Sequence, residues 1–326
     1  MEANNIMVSV ICTAYNHEKY IRDALEGFVM QKTNFKYEVI IHDDASTDKT
    51  ADIIKEYAEK YPDIIVPIIQ KENQYSKKIP IINIFVAPKI RGKYIAICEG
   101  DDYWTDVNKL QRQFDFLEAN DEYVACAHNT TFHYSDGSKK DELMIANTQE
   151  HDILFEDVIW GMRNAYHTSS IMYRKEYLTP LPEFYNVALK YRFGDLPRAI
   201  WFTMLGKVRF LPYNMSTYRY MSSDTSWTSK NEATSSGLIR HREGVIAMME
   251  ALKAEVSEER QLLVDQVILE QRFYKYDLLG EFDKLNAPEF KSFKRNLPFI
   301  YKIKLFLKTN CSWLFKLLKN FKNALK

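Results

Sequence analysis

The sequence predicts an α/β fold: a mixed sheet flanked by helices, with a helical appendage at its C-terminal end. Three observations predict it. Short Val- and Ile-rich runs alternate with amphipathic stretches up to about residue 120, the pattern of strands joined by helical crossovers in a largely parallel sheet. A chain of 326 residues, 46% of them hydrophobic, can fill one large domain or a domain plus an appendage. Two acidic pairs, Asp43-Asp44 and Asp101-Asp102, fall where predicted strands end, and ligands of open sheets gather beyond the carboxyl ends of the strands.

Residues 7–13 form a short apolar run that reads as a buried strand. Residues 18–31 place Tyr20, Ile21, Ala24, Leu25, Phe28 and Val29 on one helical face. Residues 37–41 are a second strand, running into His42-Asp43-Asp44. A second amphipathic helix spans 47–61 and is stopped by Pro62, and 64–69 is a third strand. The spacing predicts a helix over 81–90, weakened by Pro80 and Pro88. Residues 93–98 are a fourth strand, ending at Glu99-Gly100-Asp101-Asp102, and 106–120 a helix. Beyond Asp121 the pattern changes. Strands are predicted at 123–133, 168–173 and 207–211, a helix at 195–205, and two helices within 237–281 broken near Ser257.

Bulk composition narrows the functional classes. The formal net charge is zero, but residues 291–326 carry ten Lys or Arg and no Asp or Glu, which leaves residues 1–290 at about −10. An acidic body repels phosphates, so nucleic acid is not an expected partner. The four cysteines, Cys12, Cys98, Cys126 and Cys311, form no C-x-x-C pair and no zinc-ligand spacing, which suits reduced thiols in a cytosolic compartment. The first residues lack the basic start of a signal peptide, and no run of 18 uncharged apolar residues suggests a membrane span. A dinucleotide-dependent oxidoreductase is disfavoured because no G-x-G-x-x-G follows the first strand.

The acidic pair after the fourth strand carries chemistry of its own. Hard divalent cations choose carboxylate oxygens, and Mg²⁺ commonly takes one or two carboxylates plus substrate phosphates. Read alone, Asp101-Asp102 could equally be a turn or a cap for the helix that follows. The chain order adds more: Val8-Ser9-Val10-Ile11-Cys12-Thr13-Ala14-Tyr15-Asn16 opens the protein. Glu38-Val39-Ile40-Ile41-His42-Asp43-Asp44-Ala45-Ser46-Thr47-Asp48 follows, and Gly92-Lys93-Tyr94-Ile95-Ala96-Ile97-Cys98-Glu99-Gly100-Asp101-Asp102-Tyr103-Trp104 comes third. This succession resembles the family 2 inverting glycosyltransferases with the GT-A fold, a Rossmann-like mixed sheet, of the bacterial surface-polysaccharide type. The resemblance covers roughly residues 6–230.

The resemblance implies roles. Thr13, Ala14 and Tyr15 would line the base and ribose site of a nucleotide-sugar donor, and Asp44 would read the base. Asp102 would be the direct ligand of Mn²⁺ or Mg²⁺, with Asp101 contacting ribose or metal. Asp48 reads better as a helix cap. The family's catalytic carboxylate lies downstream of the metal motif, often as Glu-Asp before a helix; Phe193-Gly194-Asp195-Leu196-Pro197 matches with Gly in place of Glu. Asp195 would be the general base, against the alternative of a simple helix cap. Many relatives carry Tyr-Arg followed two residues on by a His. Here Tyr218-Arg219 is followed by Met221, a departure that leaves the third metal ligand open, while Arg219 could contact the diphosphate or pair with a structural carboxylate. Trp227 carries little functional weight. His42, His128, His133 and His167 form no spaced cluster and read as structural, although His167-Thr168-Ser169-Ser170 could approach an acceptor.

The implied enzyme moves a sugar from a nucleoside-diphosphate sugar, UDP-sugar foremost, to a saccharide acceptor that could be lipid-linked. The alternatives are a non-catalytic glycan-binding or scaffold protein and a nucleotidyltransferase. Residues 1–230 would be the catalytic domain, with a donor half to about 120 and an acceptor half after it, and 231–290 a helical appendage. Residues 291–326 interleave lysines with Phe299, Ile300, Ile303, Leu305, Phe306 and Leu307, then with Trp313, Leu314, Phe315, Leu317, Leu318 and Phe321. Leu314, Leu317, Leu318 and Phe321 share a helical face, so the tail suits an anionic membrane surface, and the expected place is the cytoplasmic face of the plasma membrane.

Overall fold

The structure is a computed structural model that describes residues 6–135, 137–146, 148–162, 165–220 and 234–310. Met221, Trp227, Cys311 and the apolar positions Trp313, Leu314, Phe315, Leu317, Leu318 and Phe321 lie outside the described residues. The chain divides into two compact units, 1–230 and 231–326.

The first unit is built on one sheet. Its strands are β1 (Ile6–Ala14), β2 (Lys36–Asp43), β3 (Ile65–Ile69), β4 (Tyr94–Ile97), β5 (Tyr103–Trp104), β6 (Tyr123–Tyr134), β7 (Glu142–Leu143), β8 (His151–Ile153), β9 (Met172–Arg174) and β10 (Lys207–Tyr220). Their order is β3-β2-β1-β4-β9-β6-β10-β5, with β7 on β6 and β8 on β10. β1 pairs in parallel with both β2 and β4, and β2 in parallel with β3. β9 runs antiparallel between β4 and β6, while β6 and β10 are parallel to each other.

The parallel half forms for the reason its sequence suggests: its near-continuous Val and Ile runs are buried along most of their length. α1 (Ile21–Val29) buries Ile21, Ala24, Leu25 and Phe28, and α2 (Thr50–Lys60) buries Thr50, Ile53, Ile54 and Tyr57, both at helical spacing. α3 (Lys109–Ala119) follows the third motif. α1 also lies close over β5: a Cβ on Gly27 would sit 2.9 Å from the Trp104 carbonyl oxygen. That close approach seats the Trp104 ring edge-on to Phe28, at 4.9 Å.

Three expectations shift. The helix over 81–90 is a wide turn at Ile82–Val86 followed by a tight turn at Ala87–Lys89, since Pro80 and Pro88 interrupt a regular ladder. The strand over 168–173 is a turn at Thr168–Ser170 followed by β9. The strand at 207–211 continues to Tyr220, past Pro212, with register shifts around Asn214. Its polar continuation is buried because Ser216 and Thr217 pair with Trp104 and Tyr103, and Ser216 Oγ lies 2.9 Å from Thr130 Oγ1. A helix that the sequence reading omitted, α5 (Glu183–Lys190), follows the four-residue α4 (Phe155–Val158) and precedes α6 (Asp195–Leu205).

The second unit is helical: α7 (Ser235–Leu252), α8 (Glu258–Leu279), α9 (Phe290–Asn296) and α10 (Phe299–Asn310). The expected break falls at Ser257, which precedes α8, and α8 stops at Gly280 with φ 74°, a left-handed residue that glycine adopts without strain. Phe273, Leu285, Phe290, Leu297 and Leu305 form its core.

One buried charge in the first unit carries a measurable signature. Lys109 is fully buried, donates to Gln113 Oε1 at 2.6 Å, and lies 4.0 Å from the Trp104 ring centroid. Burial pushes its ammonium down to about 7. The penalty is present in full below that value and is relieved as pH rises toward the unfolded value near 10.4, so stability should rise across that window. In Lys109→Met, this rise, about 1.4 kcal/mol per unit of pKa difference, should disappear from urea unfolding measured between pH 7 and pH 10. An unchanged pH dependence would show that Lys109 is not the source.

Candidate functional site

Parallel pairing brings the ends of β1, β2 and β4 to one edge, and backbone hydrogen bonds knit them there. Cys98 N–H donates to Ile11 O at 3.1 Å, Gly100 N–H to Thr13 O at 3.0 Å, and Asp44 N–H to Ala14 O at 3.0 Å. Gly100 has no room for a side chain: a Cβ would sit 2.9 Å from both His17 Nδ1 and Ile21 Cδ1. Asn16 and Ala45 take left-handed φ of 58° and 60°. Asn16 N–H donates to Ser46 Oγ at 2.9 Å, and Asn16 Oδ1 accepts from Thr47 N–H at 2.8 Å, which locks the first two motif loops together. Thr13 and Tyr15 are partly exposed at this edge, and Ala14 is buried between them. Asp48 accepts from Thr50 N–H at 3.0 Å at the start of α2 and from Glu18 N–H at 3.0 Å, a structural use, although Lys49 holds the cap position.

Asp44 is 4% exposed and does structural work of its own. Its Oδ1 accepts from Gln74 N–H at 2.7 Å and its Oδ2 from Tyr75 N–H at 3.0 Å, while its carbonyl accepts from Asn73 Nδ2 at 3.1 Å. The carboxylate thereby closes the segment after β3 over the end of β2. Each oxygen retains a second lone pair, so this does not exclude a ligand donor.

Asp102 is 1% exposed. Its Oδ1 accepts from Arg219 N–H at 3.0 Å, whereas Oδ2 is buried with no hydrogen-bond partner among the described residues. His167 Nδ1 lies 3.8 Å from Oδ2. Burial, with Asp101 and Glu99 adding repulsion, pushes the Asp102 carboxyl well above the usual carboxylate range. Glu99 is raised too, by burial and by the charges of Asp195 and Asp101, against Arg198. Asp101 Oδ2 lies 4.0 Å from His17 Nε2. His167 accepts at Nδ1 from Ser169 N–H at 3.2 Å, stacks on Tyr218 at 4.2 Å, and is pushed down to about 4 by burial, against Asp195 and Asp101. The sequence reading treated His167 as structural first; the fold sets it beside the acidic pair.

The guanidinium of Arg219 is already engaged. It pairs with Asp23, donates to the Asp101 carbonyl at 2.8 Å, and lies over the rings of Tyr103 and Tyr20 at 4.3 and 5.3 Å. The pairing with Asp23 is one of the two uses expected for Arg219, and a diphosphate contact remains a proposal. Asp195 begins α6 and does not cap it, since Gly194 holds that position. Its carboxylate is half exposed and pairs with Arg198 Nη2 at 2.5 Å. Asp195 and Asp101 each lie within electrostatic reach of both Glu99 and His167.

A divalent cation fits this donor set. A buried carboxylate oxygen without a partner is costly, and crowded carboxylates repel unless a cation joins them. A site of the Mg²⁺ or Mn²⁺ kind commonly uses one or two carboxylates, with substrate phosphates and water as the remaining ligands. The residues missed in sequence are His17, Glu99 and Arg198. Glu99 stood inside the quoted motif, and Arg198 lies one helical turn after Asp195; His17 carried no signal beyond following Tyr15 by two positions.

Comparison with known proteins agrees with this geometry. The sequence model for glycosyl transferase family 2 matches residues 9–178. An uncharacterized glycosyltransferase of Nostoc sp. is 32% identical over 240 residues, covering 70% of each chain. An uncharacterized protein of Mycobacterium tuberculosis H37Rv is 36% identical over 214 residues, 65% of this chain and 58% of that one, so the chain spans less than two thirds of that relative's length. An Escherichia coli protein named UDP-Glc:alpha-D-GlcNAc-diphosphoundecaprenol beta-1,3-glucosyltransferase is 35% identical over 112 residues, 34% of this chain and 41% of that one. Among solved structures, Staphylococcus aureus TarS 1–349 with UDP-GlcNAc has a TM-score of 0.56 at 15% identity, covering 93% of this chain and 79% of that one. Mannosyltransferase PcManGT of Pyrobaculum calidifontis, with GDP-Man and Mn²⁺, has a TM-score of 0.52 at 14% identity, covering 94% and 85%. The α/β fold is therefore that of the GT-A nucleotide-sugar transferases. The chain belongs to glycosyl transferase family 2.

The Asp44 contacts give a prediction. In Asp44→Asn an amide N–H₂ would face one of two backbone donors. The amides of Gln74 and Tyr75 should then exchange hydrogen at least tenfold faster, for a cost of about 1–3 kcal/mol. Unchanged protection at both amides would contradict the clamp.

Proposed function

We propose that this chain is a metal-dependent inverting glycosyltransferase that moves a sugar from a nucleoside-diphosphate sugar, UDP-sugar foremost, to a saccharide acceptor. The observation that carries the reading is the buried Asp102 Oδ2, without a hydrogen-bond partner among the described residues, at the junction of the strand ends, with Asp101 and Glu99 beside it and Asp195 within reach of Glu99. Residues 1–230 are the proposed catalytic domain, its donor half to about 120 and its acceptor half beyond.

In this reading, Thr13, Ala14 and Tyr15 line the base and ribose, and Asp44 receives a donor hydrogen of the base on a lone pair that the Gln74 and Tyr75 amides leave open. Asp102, with Asp101, would hold the cation, which when bound neutralises the departing diphosphate. Arg219 contributes by fixing Asp102 through its backbone N–H and Asp101 through its side chain. The acceptor hydroxyl oxygen attacks the anomeric carbon as the bond from that carbon to the phosphate oxygen breaks. The electron pair leaves with the nucleoside diphosphate, and Asp195 takes the hydroxyl proton. Arg198, bonded to Asp195, orients the carboxylate. Direct displacement inverts the anomeric centre.

The acceptor is proposed to be a lipid-linked oligosaccharide in surface-polysaccharide synthesis, supported by the diphosphoundecaprenol named for the Escherichia coli relative. No helix among the described residues is long and apolar enough to cross a membrane. Attachment of residues 291–326 to the anionic inner face of the plasma membrane is accordingly proposed as peripheral.

Asp102→Asn should lower metal-dependent transfer to background while thermal unfolding stays close to wild type, because a neutral amide attracts the cation less. Near-normal turnover at limiting Mn²⁺ would sink the metal assignment. Asp195→Asn should slow transfer by about 10²–10⁴-fold, with donor affinity within a few-fold by calorimetry. Transfer at nearly wild-type rate would move the base elsewhere.

A further inference from the structure

Helix α10 (Phe299–Asn310) turns an apolar stripe to solvent as well as packing inward. Its inward face combines the Tyr301 ring and Leu305, packed in the apolar cluster of the second unit, with polar bonds. Tyr301 OH donates to Asp277 Oδ2 at 2.8 Å and Lys308 Nζ to Asp277 Oδ1 at 2.5 Å, with Leu305 the one buried apolar side chain of the helix. Its outward face is apolar: Phe299, Ile300, Ile303 and Phe306 are 76%, 80%, 46% and 60% exposed. At i, i+1, i+4 and i+7 these four form one stripe. Helical geometry sets Lys302 on one side of the stripe and Lys304 on the other, both exposed. Asp277 thus pins the helix with its apolar side to solvent, at a cost that only an external partner offsets.

We infer that the Phe299-Ile300-Ile303-Phe306 face of α10 is a docking surface for an anionic lipid layer, entered with the helix lying flat. The inference rests on the membrane reading above and assigns it to residues distinct from the 314–321 face that the sequence singled out. The charge pattern decides between occupants. Residues 291–310 hold six Lys or Arg and no acidic residue, so a second copy of this face would meet like charge, and so would the equally basic 311–326 segment. An anionic headgroup layer meets opposite charge at the rim while the stripe enters the acyl boundary, and the lysine stems can reach back to the headgroups. At 12 residues the helix is too short to span a bilayer.

The experiment is co-sedimentation of the full-length chain with vesicles of phosphatidylglycerol and of phosphatidylcholine, at low and high salt. Wild type should bind phosphatidylglycerol and release in high salt. The double variant Ile300→Asp/Ile303→Asp should lose about tenfold or more of its partitioning, whereas Leu262→Asp, at a position 65% exposed on α8, should change nothing. Lys302→Gln/Lys304→Gln should weaken binding several-fold and flatten its salt dependence. Sedimentation of the Ile300→Asp/Ile303→Asp chain like wild type would overturn the inference. So would a lipid-free dimer that this variant converts to monomer, which would give the face to a second copy. Transfer to a short soluble acceptor should persist in the variant. Lipid binding without transfer in wild type would therefore count against the glycosyltransferase reading alone, and transfer without lipid binding against the docking face alone.

Discussion

Parallel pairing of β1 with β2 on one side and β4 on the other forces three strands to end on the same edge, and the rest of the first unit is arranged around that convergence. A parallel strand leaves its last residues with outward-directed backbone groups and no hairpin to absorb them. Here the motif loops absorb one another. The Asp44 and Gly100 amides reach back to Ala14 and Thr13, and Asn16 and Ser46 tie the first two loops. Four carboxyl-bearing residues, Asp43, Asp44, Asp101 and Asp102, are gathered at this edge by main-chain geometry before any ligand arrives.

Electrostatics then divides the acidic groups by what their surroundings give them. Asp43 and Asp44 receive N–H or hydroxyl donors on both oxygens, with lone pairs left over on Asp44. Asp102 receives one N–H and, among the described residues, buries its other oxygen without a hydrogen bond, with Asp101 and Glu99 nearby. A fold that supplies donors to both oxygens of Asp43 and Asp44 but to one oxygen of Asp102 leaves Asp102 the carboxylate suited to external positive charge.

The legible part of the sequence was the part with strong period and strong punctuation. Val- and Ile-rich runs ending in paired acids gave β1, β2 and β4 and the positions of Asp44, Asp101 and Asp102 to within a residue or two. The family membership and GT-A fold implied by the motif order agree with the family match and the structural likeness. What was not legible depends on tertiary partners. The continuation of β10 through Pro212, Asn214 and Ser216 has no strand period of its own and exists because β5 and β6 supply partners for Ser216 and Thr217. Glu183–Lys190 is a helix of eight residues, too short for its apolar spacing to stand out. His17, His167 and Arg198 come from distant segments, and no spacing rule links them to the acidic pair. For Arg219 the sequence allowed two uses, and only the fold could show Asp23, 196 positions away, in contact with it.

The indole of Trp104 donates from Nε1 to the carbonyl of Ser169 at 2.9 Å, inside the core. That bond fastens the segment carrying Asp101 and Asp102 to the segment carrying His167, two stretches of chain that meet nowhere in sequence. The separation between them is therefore held by a packed, dry contact and not by the length of any loop. Insertions in exposed connections elsewhere in the unit can change its outline without altering this inner spacing. Divergence in that outline and constancy in the arrangement beneath it become independent, which lets one scaffold accumulate different preferences without rebuilding its centre.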